Sequence, residues 1–206
     1  MDEGFIKFNC NWIRTGPGPG KEIANINRWR NKLYDLGLIG VDDKGIGFGN
    51  LSIRRENRIF LITGAATGKL KRLDAGHYVL VTEYSFRENC LTCTGPIKAS
   101  SESLTHASIY ECSPETNAVI HVHNKDMWER LIDKVPTTSR HVSYGTPEMA
   151  GEIKKLFEET AVSTEKILAM GGHPDGIISF GSTPEEATKI LLAEFPGHGK
   201  NFLFLK

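Results

Sequence analysis

Two histidines stand two positions apart in one of the most apolar runs of the chain, Ala-Val-Ile-His-Val-His at residues 118–123. Successive side chains of a β-strand point to opposite faces, so a strand here places His121 and His123 side by side on one face. The opposite face carries only apolar side chains (Ala118, Ile120 and Val122) and is predicted to lie in the core. Two adjacent imidazoles pack poorly in a core but are well suited to bind one metal ion.

A third candidate ligand, His173, lies 50 positions after His123 (173 − 123) in the segment Ile-Leu-Ala-Met-Gly-Gly-His. A zinc ion that acts on a substrate has three protein ligands and one open position. The apolar run and the two glycines suit an imidazole delivered at the end of a buried strand. An ordinary structural role for each histidine is the alternative, and it is the role expected for the remaining ones (His77, His106, His141 and His198).

Glu102 is the candidate acid or base. It lies in the first turn of a helix predicted over residues 100–111, which is followed closely by the 118–123 strand. This short connection is expected to place the carboxylate near the metal, where it could bind the ion or act as a general base. The alternative is an acidic side chain that interacts favourably with the positive end of the helix dipole.

The start of the same helix and two loops have the composition of an anion site. Hydroxyls and free N–H groups at a helix N-terminus bind phosphate. The loop Gly-Asn-Leu-Ser at 49–52 and the loop Thr-Gly-Ala-Ala-Thr-Gly-Lys at 63–69 could join it, although each loop alone indicates a turn and the second lacks the P-loop spacing. The candidate phosphate-binding residues are Asn50, Thr67, Gly68, Ser100 and Ser101.

The composition is that of a soluble globular protein. The 206 residues carry 25 Lys and Arg against 25 Asp and Glu, so no basic surface for nucleic acid or membrane is expected. Neither a membrane span nor a signal peptide is evident, which favours the cytoplasm. Of the four cysteines, Cys90 and Cys93 form a CxxC without the second pair that a zinc ribbon needs, so we expect reduced thiols without a function.

The hydrophobic pattern predicts the elements that must position these residues. Predicted strands cover residues 5–13, 49–55, 58–64, 77–86, 118–123, 166–173 and 176–181, and predicted helices cover 21–36, 100–111, 126–134, 147–160 and 183–195. The region 88–96 is predicted to be rich in turns. The mixture favours an α/β fold with a mixed or antiparallel sheet flanked by helices, in one domain over 1–206 whose residues 1–20 form an N-terminal extension.

An ordered series of motifs resembles the class II aldolase/adducin family over residues 22–195. The motifs are GNLSIR, FLITGAATGKLKRL, ASSESLTHASIY, AVIHVHN, YGTPEMA and AMGGHPDGIISFGSTPEEA. The resemblance implies α/β/α layers around a mainly antiparallel sheet, and a ring-like homotetramer with active sites at subunit interfaces. The 63–69 loop departs from the family pattern, because it lacks the usual proline and is longer by about two residues.

The resemblance also implies roles for individual residues. His121, His123 and His173 match the zinc-binding histidines, and Glu102 matches the acid/base glutamate. Asn50, Ser100 and Ser101 match the phosphate-binding positions of sugar-phosphate aldolases, and Thr67 and Gly68 match the remaining phosphate loop.

We therefore expect a lyase that uses Zn²⁺ or another divalent metal to cleave or form a carbon–carbon bond. The expected substrate is a small hydroxy-carbonyl compound, with a sugar phosphate favoured, whose phosphate would sit at the start of the 100–111 helix. A dehydratase, epimerase or decarboxylase of the same family is compatible with the same residues. The non-enzymatic alternative is an adducin-like interaction module, which would be expected to have lost the metal ligands.

Overall fold

A large sheet lies at the centre of the fold. The computed structural model describes residues 5–18 and 20–197. The strands are β1 (Asn9–Arg14), β2 (Gly40–Val41), β3 (Gly47–Phe48), β4 (Asn50–Glu56), β5 (Ile59–Thr63), β6 (Tyr78–Ser85), β7 (Cys90–Gly95), β8 (Ala118–His123), β9 (Ile167–Ala169) and β10 (Gly176–Gly181). Within this described part of the chain, eight of them pair in the order β1-β7-β6-β5-β4-β8-β10-β9, while β2 and β3 form a small separate hairpin.

Neighbouring strands of the large sheet run antiparallel from β7 through to β9, whereas β1 adds to β7 in parallel. The helices are α1 (Gly20–Asp35), α2 (Ser103–Cys112), α3 (Lys125–Leu131), α4 (Pro147–Glu159), α5 (Val162–Glu165) and α6 (Pro184–Ala193), with a 3-10 turn at Ala75–His77. Buried residues of α2 and α4 pack on one face of the sheet, and those of α1 and α6 pack on the other. The predicted α/β class, with a mainly antiparallel sheet flanked by helices, is confirmed.

Strand β8 has the predicted bounds and the predicted two faces. Val119 joins the core cluster under α2 and α4, whereas Ile120 and Val122 join the cluster under α1 and α6. The strand lies between β4 and β10, so both of its edges are hydrogen-bonded. A strand buried on both faces and both edges holds the side chains at its end rigidly.

The prediction of turns at 88–96 is wrong, because residues 90–95 form β7. Alternate side chains of this strand, Leu91 and Cys93, are buried, and this two-residue alternation outweighs the turn signal of Thr94-Gly95-Pro96. In a strand, Cys90 and Cys93 point to opposite faces, so the CxxC cannot act as a chelating pair. The cysteines are free thiols, as expected.

The start of α2 also differs from the prediction, since the helix begins at Ser103 rather than at residue 100. Glu102 occupies the N-cap position, and its side chain makes no capping hydrogen bond. The preceding turn is closed by the carbonyl of Ser100, which accepts hydrogen bonds from the Ser103 N–H at 3.1 Å and from the Ser103 hydroxyl at 2.7 Å. The Glu102 carboxylate is therefore not engaged in capping its own helix.

For most helices and for the central strands, the observed boundaries lie within a few residues of the predicted ones. The strand predicted over 166–173 is shorter, because β9 ends at Ala169 and a turn follows. The strand predicted over 5–13 is observed as β1. Within the described residues, no helix combines the length and the apolar character needed to cross a membrane.

Helix α6 begins as predicted, with Thr183 as N-cap and Pro184 at the first helical position. The Thr183 hydroxyl accepts a hydrogen bond from the Glu186 N–H at 3.1 Å. We expect Thr183→Ala to lower the free energy of unfolding by about 1 kcal/mol, because that N–H loses its acceptor. Urea denaturation followed by circular dichroism measures the change. Thr183→Ser is the matched control, since it keeps the hydroxyl and should lose much less stability.

Candidate metal site

Three imidazoles meet at one end of the sheet, where strand β8 and the turn between β9 and β10 come together. The Nε2 atom of His123 lies 3.0 Å from Nε2 of His121 and 3.1 Å from Nε2 of His173. His121 and His173 are buried, with exposed fractions of 1% and 3%, and His123 is half-buried. The three residues that the sequence separates by up to 52 positions (173 − 121) thus form one compact cluster.

The turn 170–176 carries His173 into this cluster. Hydrogen bonds from Met170 N–H to the Gly176 carbonyl at 2.9 Å and from Gly176 N–H to the His173 carbonyl at 2.9 Å close the turn. Gly176 is required here by space, since a Cβ at this position would lie 2.8 Å from His173 Cδ2 and 3.2 Å from His121 Cε1. A glycine therefore lets the backbone pass directly behind two of the three rings.

The spacing and chemistry of the three nitrogens fit a divalent metal ion. Tetrahedral zinc with Zn–N bonds of about 2.0–2.1 Å separates its ligand nitrogens by roughly 3.3 Å, close to the two distances that His123 makes. All three ligand nitrogens lie within 4.8 Å of one another. A single shared proton can satisfy only one of the two short N···N contacts that His123 makes. Three imidazole nitrogens facing one point are better explained as a ligand set than as a hydrogen-bonded group.

Burial keeps these rings in the neutral form that binds metals. It lowers the pKa of His123 from 6.5 to about 4. Burial, followed by the neighbouring histidines, also lowers the pKa values of His121 and His173 well below 6.5. The Nδ1 atom of His121 lies 3.3 Å from the carbonyl of Ile177, and an Nδ1–H donor there leaves the Nε2 lone pair directed into the cluster.

Glu102 lies beside the cluster, as the sequence analysis predicted. One oxygen of its buried carboxylate, Oε1, is 3.6 Å from Nε2 of His173. Burial lowers the pKa of His173 well below 6.5 and so opposes an ion pair between this ring and the carboxylate. A carboxylate at this distance from the candidate ligand atoms is placed to exchange a proton with a substrate bound at the cluster.

Two aromatic side chains form walls of the site that the sequence analysis did not identify. The ring of Tyr144 lies 4.4 Å from that of His173, and the ring of Phe48 lies 5.3 Å from that of His123 (both between centroids). Gly145, at φ +66, allows the turn after Tyr144 to approach the carbonyl of Ser101, which a Cβ would meet at 2.4 Å. The motif YGTPEMA contained this signal, because a glycine directly follows an aromatic residue there.

The five candidate phosphate residues do come together. They line a single cavity next to His121, together with the turn at 64–68. Its volume is about 20 Å³, which holds one water molecule but not a phosphate group. The Oδ1 atom of Asn50, buried in this region, has no hydrogen-bond partner among the described residues.

The 63–69 loop fills the space that the phosphate was expected to occupy. The Thr67 hydroxyl donates to the carbonyl of Gly64 at 2.8 Å, so it is already used within the loop. Buried Arg30 donates to the carbonyls of Thr67 at 3.1 Å, Gly68 at 3.3 Å and Lys71 at 2.8 Å. This guanidinium, missed by the sequence analysis, holds the loop closed.

The other histidines have the structural roles expected of them, where the structure describes them. Buried His106 is hydrogen-bonded through Nδ1 to the Ser52 hydroxyl at 2.7 Å. His77 caps the 3-10 turn by accepting from the Asp74 N–H at 3.1 Å. His141 is exposed, and His198 lies outside the described residues.

A mainly antiparallel sheet between helical layers, with three histidines and a glutamate at one end, defines an α/β protein built around a candidate metal centre. The sequence model of the Class II Aldolase and Adducin N-terminal domain matches residues 40–193. The chain belongs to the class II aldolase/adducin family. No curated protein matches the sequence at a significant level.

Solved structures share the fold at low sequence identity. An L-fuculose 1-phosphate aldolase aligns with a TM-score of 0.65 and 20% identity, covering 89% of this chain and 85% of its own. The L-fuculose-1-phosphate aldolase of Thermus thermophilus aligns at 0.60 and 21%, covering 84% and 88%. YgbL of Klebsiella pneumoniae, described as a candidate aldolase/epimerase/decarboxylase, aligns at 0.60 and 18%, covering 84% and 86%.

The tight approach at Gly176 generates a prediction about metal binding. Gly176→Ala should weaken zinc binding by about tenfold or more, because the new methyl group displaces the His173 and His121 rings by several tenths of an ångström. Competition with a chromophoric chelator measures the affinity. Gly151→Ala in α4 is the matched control, since nothing lies within 4 Å of its Cβ and zinc affinity should not change. Equal zinc affinities for the two variants would contradict the assignment of the site.

Proposed function

We propose that the chain is a metal-dependent lyase that cleaves or forms a carbon–carbon bond in a small hydroxy-carbonyl compound. The observation that carries this proposal is the buried cluster of His121, His123 and His173 with the Glu102 carboxylate 3.6 Å from one ligand nitrogen. Family membership supports it, and so does the likeness of the fold to that of the L-fuculose 1-phosphate aldolases. The ion proposed is Zn²⁺, or another divalent transition metal with the same preference for imidazole.

In this proposal the histidines bind the metal and Glu102 transfers the proton. His121, His123 and His173 would hold the metal through their Nε2 atoms and leave the remaining side open. When bound, the ion would supply Lewis-acid chemistry by polarising the substrate carbonyl. A carboxylate oxygen of Glu102 would take the proton from the substrate hydroxyl as the carbon–carbon bond breaks and would pass it to the carbon that keeps the bonding electrons, so that an aldehyde and a ketone are released. The reverse reaction would move the same proton back.

The burial of Glu102 suits this proton transfer. The carboxylate is 2% exposed, and rings of Tyr144 and Phe48 flank the histidine cluster. Electrostatic interactions are stronger where water is excluded, so both the carboxylate and the held metal act more strongly on a bound substrate than they would in solvent. A non-catalytic adducin-like module has no need for an enclosed set of three histidines and a carboxylate.

The remaining parts of the expected function stay proposals. The assembly we propose is a homotetramer, and the location is the cytoplasm, with a small molecule rather than nucleic acid or membrane as partner. A sugar phosphate is the substrate class we favour, because the names of the fuculose-phosphate aldolases specify such a substrate. The closed 63–69 loop would have to move before a phosphate could enter the predicted cavity.

The direct experiment is a retro-aldol assay of zinc-loaded protein against a panel of ketoses with and without phosphate. We expect an aldehyde and a three-carbon ketone fragment to be released by the wild-type protein and not by His121→Ala, which lacks a metal ligand. Loss of water, inversion at carbon or release of carbon dioxide without that fragmentation would instead identify a dehydratase, an epimerase or a decarboxylase. Retention of a full equivalent of zinc by His121→Ala would contradict the metal assignment itself.

Glu102→Gln separates proton transfer from metal binding. The amide has nearly the same shape but cannot take a proton, so turnover should fall by about 100-fold or more while zinc content and fold are kept. Zinc analysis and thermal unfolding accompany the rate measurement. Loss of zinc would make Glu102 a ligand, and unchanged turnover would remove it from the mechanism.

A further inference from the structure

The N-terminal segment, which lies before the region matched by the family model, places a cation near the histidine cluster. The family match begins at residue 40. Residues 5–14 nevertheless run along the edge of the sheet, where buried Phe8 joins the core and the Lys7 carbonyl accepts a hydrogen bond from the Asn89 side chain at 2.9 Å. Lys7 is therefore anchored both through its own main chain and through its neighbour.

The Lys7 ammonium lies close to the histidine cluster. Its Nζ atom is 3.9 Å from the centroid of the Tyr144 ring, which in turn contacts His173, and it donates to the Ser143 hydroxyl at 2.5 Å. The ring of Tyr144 thus contacts both the Lys7 ammonium and the ring of His173. A ring face and a hydroxyl together hold this cation.

The described surroundings of Lys7 lack a counter-charge. Among residues 5–18 and 20–197, no carboxylate lies within ion-pair distance of its ammonium. An ammonium has three donors, and a half-buried one is stabilised by an anion that replaces its lost hydration. The hydroxyl of Ser143 uses one donor, and the Tyr144 ring receives the cation without neutralising it.

The position expected for an anion is meanwhile closed. The cavity between the 63–69 loop and Ser101 has room for about one water molecule, and Arg30 holds that loop in place through three carbonyl contacts. This cavity therefore lacks room for a substrate anion, whereas the ammonium of Lys7 has no ion-pair partner among the described residues.

We propose that Lys7 binds the oxyanion group, a phosphate monoester or a carboxylate, of the substrate whose carbonyl end is held at the histidine cluster. The inference rests on the proposed function for the substrate class, and it makes Lys7 a specificity-determining residue that this chain adds to the family fold. A neutral hydroxy-carbonyl compound would use the cluster alone.

The test compares binding of three small probes that share a hydroxy-ketone end: dihydroxyacetone, dihydroxyacetone phosphate and hydroxypyruvate. Calorimetry on zinc-loaded protein gives each Kd without any turnover. In the wild-type protein at least one anionic probe should bind tighter than the neutral one by about ten- to 100-fold, the range of one charge-assisted contact. Lys7→Met, which keeps the aliphatic stem, should remove this preference and leave the Kd of dihydroxyacetone unchanged.

Two further variants make the result specific. Lys7→Arg keeps the charge and should retain part of the preference, whereas Lys134→Met removes an exposed lysine and should retain all of it. The anionic probe whose affinity falls more from the wild-type protein to Lys7→Met identifies the bound group as phosphate or carboxylate. An anion preference that survives in Lys7→Met, or that is absent from the wild-type protein, would overturn the proposal. The lyase assignment is judged separately, by fragmentation of the ketose panel.

Discussion

Burying three neutral imidazoles around one point is the constraint on which the rest of the site depends. Each ring loses water when it enters the sheet, and the nitrogens that face one another cannot all find protons to share. That cost is tolerable only if the rings are held rigidly and if their lone pairs find a partner, the role that we propose for a metal ion. The position of β8 between β4 and β10, the closed turn 170–176 and the missing side chain at Gly176 all serve this one arrangement.

The meeting of the three histidines can be predicted from the sequence for a local reason. Alternation along a strand is set by the backbone itself, so the shared face of His121 and His123 follows from their spacing alone. The two glycines before His173 likewise indicate that the backbone follows a tight path at this point. The short link between α2 and β8 then brings Glu102 to the same end of the sheet, although the helix starts three residues later than its serine pair indicates.

The rest of the site depends on contacts between distant segments, which no local pattern reports. Strand β7 is not predicted because the composition Thr-Cys-Thr-Gly is typical of a turn. Its extended conformation is stabilised by pairing with β1 on one edge and β6 on the other. The loop at 63–69 has the composition of an anion site, but the reach of Arg30 from α1 determines that it is closed. Tyr144 and Lys7 meet at the site wall from positions 137 apart (144 − 7), a separation at which spacing carries no information.

The parallel edge strand has a consequence for how the molecule assembles. Residues of β1 pair with partners 81 positions later, for example Asn11 with Thr92, and parallel pairing cannot be reached through a hairpin. Closing so long a loop costs chain entropy before any ladder contact repays it, while β4 to β7 can zip up through short antiparallel connections. We therefore expect the antiparallel strands β4 to β7 to pair before β1 and the other strands that need a long loop to be closed. The frame of the histidine cluster belongs with these later strands, because β4 and β8 pair residues 71 positions apart (121 − 50), Asn50 with His121.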